Sequence, residues 1–277
     1  MMPKVTLLVW FYVFLAAIIP AQVGLDLERE QELQAATKQV NQFFRRFNGE
    51  EGPDGKRYYT SDAMYRAHAV RMAYLPQLFD KKSPIADSLK QAFIQQVVAK
   101  ENELFLSLHQ GLFLAEVETR FVLGGQPESV TLYLKLQTEK VGSKWVIAGA
   151  FAPYYQKLFE EDTLSGSPEG PFLHPLSHEL EFMNLRRAFE SPERMASYLA
   201  ESYSVDHLSF LLLELKLGKA YFKTVNDVSF HSTQVPGWYF RLKQIHRAER
   251  NSGWLIQHLA RLVNPNEPIK LQGYEVD

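Results

Sequence analysis

Residues able to do acid–base chemistry are present but scattered. His68, His109, Tyr58, Tyr59, Asp62 and Tyr133 supply the imidazole, phenol and carboxyl groups in the first half of the chain. Proton transfer needs such groups on one inward face, aimed at one point. His68 and Tyr133 are the candidates for a catalytic acid–base pair, and His109 for a ligand contact. Near the C-terminal side, Pro236-Gly237-Trp238-Tyr239-Phe240 is the densest aromatic cluster. Strand alternation puts Trp238 and Phe240 on one face and Tyr239 on the other. Trp238 and Tyr239 are therefore candidate ligand contacts, against core packing as the ordinary role of such rings.

Other chemistries find little support. His174 and His178 have helical metal-ligand spacing, with Glu179 adjacent, but Pro175 interrupts them and no third ligand is near. The acidic stretch 48–54 lacks the alternating spacing of a calcium loop and reads as a solvated turn. No Gly-x-Ser-x-Gly elbow or phosphate-cradling glycine loop occurs, and Ser165-Gly166-Ser167 lies in a linker-like stretch. The expectation is no metal and no cofactor. Arg45-Arg46 and Arg186-Arg187 recur at similar places, and surface salt bridges are the expected use. With 30 Lys+Arg against 32 Asp+Glu, the chain lacks the basic surplus of a nucleic-acid binder. The absence of cysteine excludes a disulfide scaffold. The 46% hydrophobic content excludes a disordered chain.

The elements that must position these residues follow from periodicity. Leu33, Ala36, Val40, Phe43, Phe44 and Phe47 recur at helical spacing within 25–47, and Asn48-Gly49 stops the helix. Ser61-Asp62 reads as the cap of a helix that buries Tyr65, His68, Met72 and Leu75. A longer helix is expected over 85–109, ending at His109, where a cation suits the helix dipole. After Gly111 the period becomes two. Ala115, Val117, Thr119 and Phe121 alternate with polar residues, Gly124-Gly125 turns the chain, and strands follow over 130–140 and 144–151. The stretch 160–175 is rich in Gly, Pro, Ser and acid and reads as a linker. Helices are then expected at Leu176 to Phe189, near Ser191-Pro192 and over 205–217. Strands follow at 220–225, 228–234, 238–246 and 254–259.

The extreme N-terminus is an address. Lys4 precedes an apolar run from Val5 to Ile19, then Pro20 and Ala21. This is the order of a secretory signal peptide over 1–21. The run falls short of the ~20 residues that span a bilayer, so cleavage is expected rather than retention as an anchor. No later stretch approaches that length, which implies no stable membrane span after cleavage and a periplasmic or secreted location.

The two halves repeat one order, helices then an antiparallel meander, which defines an α+β class. Phe44-Arg45-Arg46-Phe47 is echoed by Leu185-Arg186-Arg187-Ala188-Phe189. Tyr133-Leu134-Lys135-Leu136 with Trp145-Val146-Ile147 is echoed by Tyr239-Phe240-Arg241-Leu242 with Trp254-Leu255-Ile256. The element order and final Trp-Val-Ile strand resemble the NTF2-like superfamily of cone-shaped α+β domains. The likeness extends over 25–158 and more loosely 174–263. It implies two tandem domains, 22–159 and a shorter 176–277, each with helices on a curved antiparallel sheet. Members of that superfamily include enzymes, small-molecule binders, secretion-machinery parts and scaffolds, so the fold leaves function open. The expected role is an exported, non-catalytic binding or scaffolding protein of the bacterial envelope. Its partner would be an unknown protein or small molecule, and not nucleic acid. The alternatives are an enzyme or ligand binder using the first cone, and a periplasmic component of a secretion or conjugation apparatus.

Overall fold

The computed structural model describes residues 40–52, 54–140, 142–157, 189, 205–247, 251–264 and 268–276. The signal segment 1–21, the linker 160–175, and the histidines 174 and 178 lie outside the described residues. So do most of the helices expected between 176 and 204.

The chain is α+β, with a large antiparallel sheet and a few helices. Helix α1 (Val40–Asn48) buries Val40, Phe43, Phe44 and Phe47. It ends as its sequence requires. Gly49 takes φ 72°, its N–H bonds Arg46 O, and Glu50 N–H bonds Arg45 O. These two bonds form a Schellman cap, which a residue with Cβ resists at the glycine.

Helix α2 (His68–Tyr74) starts later than expected. The Asp62 carboxylate accepts the Tyr59 N–H at 2.8 Å, which holds a turn instead of capping a helix. The helix buries Val70 and Arg71, while Met72 stays 44% exposed. A 3-10 turn (Leu75–Leu78) carries Pro76, and Phe79 then bridges the sheet edge at Ile256.

Helix α3 (Asp87–Val97) is much shorter than the expected 85–109. The cause is tertiary. Asn48 bonds both the N–H and the carbonyl of Leu106, at 2.8 and 2.9 Å, and Arg71 bonds the Leu104 carbonyl at 2.5 Å. Backbone groups satisfied by side chains need no helix. His109 therefore sits in a turn before the sheet, not at a helix end.

Strands β1 (Phe113–Leu123), β2 (Gln126–Glu139) and β3 (Gly142–Phe151) form the first meander. Gly124 and Gly125, at φ 57° and 79°, make its first tight turn. Helix α4 (His207–Lys216) precedes β4 (Tyr221–Ser232), β5 (Trp238–Ile245) and β6 (Gly253–Arg261). The two strands expected over 220–234 are one, β4, whose pairing with β1 shifts register twice. Strands β7 (Ile269–Leu271) and β8 (Tyr274–Val276) form a small hairpin.

The meanders join into one six-stranded sheet of order β3-β2-β1-β4-β5-β6, with β1 and β4 antiparallel at the centre. Helices pack crosswise on it. α1, the 3-10 turn and α3 share a core with Val228 and Phe230 of β4, Trp238, Phe240 and Leu242 of β5, and Trp254, Ile256 and Leu259 of β6. Leu211 of α4 instead packs with Phe121, Leu123, Val130 and Ala150 of the first meander. Both groups of helices use the face that carries Phe113, Ala115, Phe121 and Leu123 of β1. On the other face, the β7–β8 hairpin covers Leu114, Tyr133 and Phe151. Among the described residues no helix is long and apolar enough to cross a membrane.

Candidate functional site

Alternation along the central strands collects polar groups on the face opposite the helices. Glu116 of β1, His231 of β4, Tyr239 and Arg241 of β5, and His258 of β6 come together there. Across the strands His231 pairs with Arg241, and Arg241 pairs with His258.

Three of these residues form a hydrogen-bonded chain. His231 Nε2 lies 2.6 Å from Glu116 Oε2, and its Nδ1 lies 2.7 Å from Tyr239 Oη. With Glu116 ionised, Nε2–H donates to the carboxylate. In the neutral ring, Nδ1 then accepts the Tyr239 hydroxyl proton. His231 is 1% exposed, so both ring nitrogens are satisfied where water does not reach. Its ring also stacks on Tyr239, with centroids 5.9 Å apart and planes at 19°.

The electrostatics follow from this packing. The hydrogen bond from His231 holds the Glu116 carboxyl below its ordinary range. Burial opposes the shift, and the charges of Arg241 and Lys243 reinforce it. Burial pushes the Tyr239 phenol up to about 12, so it stays protonated near neutrality. The His258 ring is held below its usual value by lost hydration, then by Arg241 and His231. Lys243 pairs with Asp227 at 2.5 Å. Arg241 donates from Nη2 to Gln257 Oε1 at 2.9 Å, and among the described residues its buried Nε has no hydrogen-bond partner.

The residues expected to form sites fall in different layers. His68 lies on α2, with Nδ1 3.4 Å from Glu103. Tyr133 lies on the other side of the sheet, fully buried, its hydroxyl donating to Gln272 O at 2.9 Å. These two do not meet. His109 Nδ1 contacts Ser143 Oγ at 3.1 Å, away from both. Trp238 is 1% exposed on the helix side, its Nε1–H donating to Gln96 at 2.8 Å. Tyr239, on the opposite face as alternation requires, does enter the polar cluster.

The acidic stretch 48–54 is not simply solvated. Glu51 is 1% exposed and accepts bonds from Gln42 at 2.5 Å, Arg45 at 2.9 Å and Arg46 at 3.2 Å. Its carboxylate is fully committed to structure, so Arg45 and Arg46 pair with a buried acid rather than forming the surface bridges expected of them. A cleft of about 590 Å³ opens beside it, between Arg46, Asp54, Tyr74 and Ser252. Among the described residues no group of three metal-ligating side chains converges.

Glu116, His231, Arg241 and His258 escaped the sequence reading. Their signal lay in the period-two register. Ser229 and His231, then Tyr239, Arg241 and Lys243, fall at alternate positions on one face. Comparison with family models, with curated proteins and with solved structures finds no match.

Proposed function

We propose that the protein is an exported, non-catalytic binding or scaffolding protein of the bacterial envelope, with its ligand site on the polar sheet face. The observation that carries this reading is the set of polar side chains from β1, β4, β5 and β6 gathered around a buried, doubly hydrogen-bonded His231. Such a network fixes rotamers in advance, which lowers the entropic cost of binding. The NTF2-like resemblance of each half belongs to the same proposal, since each contributes a three-stranded meander and at least one helix, both built into one shared sheet. Export rests on the N-terminal segment. An intact mass that begins at Gln22 supports it, and one that begins at Met1 supports the anchored, secretion-apparatus alternative.

The test is a small-molecule screen read by NMR on labelled full-length protein. Hits that shift Tyr239 and His258 and are lost in His231→Gln support the reading. Hits confined to other surfaces overturn it.

A second reading, an enzyme, is favoured by the Glu116–His231–Tyr239 chain alone. In it His231 acts as general base toward the Tyr239 hydroxyl, and Glu116 stabilises the imidazolium. A turnover that survives both His231→Gln and Tyr239→Phe sinks it.

A further inference from the structure

Among the described residues, the charges on the polar face pair off with one exception. Glu116 is bonded to His231, and Asp227 is bonded to Lys243. Among the described residues no carboxylate lies within salt-bridge distance of Arg241, which holds only the neutral amide of Gln257. A partly buried guanidinium normally finds an anion. Its cross-strand neighbour is His258, exposed and without a hydrogen bond to either ring nitrogen among the described residues. The Tyr239 ring adjoins, 5.7 Å from that of His258. A cation, a titratable ring and an aromatic surface thus lie side by side, with no anionic acceptor among the described residues.

We propose that this face binds a small organic anion, whose carboxylate docks between the Arg241 guanidinium and the His258 ring while its apolar part lies against Tyr239. This rests on the polar face being the ligand site. Arg suits the role because its planar fork matches a carboxylate bidentately.

Proton uptake follows from the same geometry. In the free protein, partial loss of hydration together with Arg241 and His231 holds the His258 ring below its usual pKa. A bound anion favours the imidazolium and raises its pKa. Affinity therefore rises as pH falls through the window between the bound and free values, and levels off below it. The facing groups are Tyr239, Arg241 and Lys243 from β5, His231 and Asp227 from β4, and Glu116 from β1. Arg241 keeps its charge across the window, Glu116 stays ionised and Tyr239 stays neutral.

The experiment titrates full-length protein carrying labelled histidine with benzoate and with benzamide, its neutral isostere, at about pH 5.5 and about pH 8. The expected result is saturable movement of the His258 signal by benzoate, with affinity several-fold higher at the lower pH. Arg241→Gln should weaken binding about tenfold or more, the loss of one charge-assisted pair. His258→Gln should keep binding but lose its pH dependence. Equal movement of the His258 signal by benzamide and benzoate overturns the anion while leaving the ligand face intact. Benzoate that moves no signal on this face overturns the inference too, and the library screen then decides whether the face binds anything.

Discussion

Phe93→Ala tests the crosswise packing most directly. Phe93 of α3 is 0% exposed, and its ring meets four others edge-on. Phe47 and Phe79 from its own half stand 6.2 and 6.0 Å away, and Trp238 and Phe240 of β5 stand 5.3 and 5.9 Å away. Removing a buried phenyl ring costs about 3–5 kcal/mol, because transfer energy is lost and the rigid surroundings fill the gap only in part. Rings held by four neighbours, two of them on strands, collapse poorly, so the upper part of that range is expected. A loss of about 4 kcal/mol lowers amide protection by about a thousandfold wherever exchange needs global opening. The assay is hydrogen exchange read by peptide, with urea unfolding alongside. Residues 87–97 and residues 238–245, in opposite halves of the chain, should lose protection together, with one unfolding transition at lower urea. If α3 loses protection while β5 keeps it, the helices of the first half are not the cover of the second meander, and the crossed arrangement is refuted.

Three further perturbations follow. Glu51→Gln should destabilise by about 3 kcal/mol in chemical denaturation, since Arg45 and Arg46 then face a site without its charge. Glu116 has a depressed pKa when folded, so its contribution is present above the unfolded value and is lost as pH falls through the folded one. Glu116→Gln should therefore flatten the acid limb of a Tm-against-pH curve, and an unchanged limb refutes the His231 bond as its cause. Gly273→Ala should free the β7–β8 hairpin, seen as faster exchange at 269–276. The glycine sits at φ 64°, with a Cβ position that collides with the Phe151 ring.

Local patterns in the sequence announced the strands better than the helices. Gly124-Gly125 marks its turn because only a residue without Cβ takes two successive positive φ values cheaply, and the alternation of β1 then fixes which face is buried. Helix ends at a distance from such punctuation were harder to read. The expected helix to His109 stops at Val97 because Asn48 and Arg71, far off in sequence, claim the backbone of Leu104 and Leu106. The Asp62 side chain was free either to cap a helix or to close a turn, and the local backbone used it for the turn.

The same limit explains the missed site. His231, Tyr239, Arg241 and His258 meet through the β4–β5 and β5–β6 pairings of the second meander, and Glu116 joins them from the first. The antiparallel pairing of β1 with β4 brings Glu116 to His231, and it joins residues more than a hundred positions apart. Two chains of similar halves can carry identical local patterns and yet differ in that pairing. The register then matters more than the composition. Leu114 lies opposite His231 and Glu116 opposite Ser229, which sets the Glu116 carboxylate diagonally beside the imidazole on one face. A slip of one residue would send His231 into the aromatic core and Phe230 out to the polar face. The hydrophobic contacts of Phe230 with Phe113 and Trp254 oppose that slip. The core thus holds the polar chain in register, and the Glu116–His231 bond depends on both halves through the sheet they share.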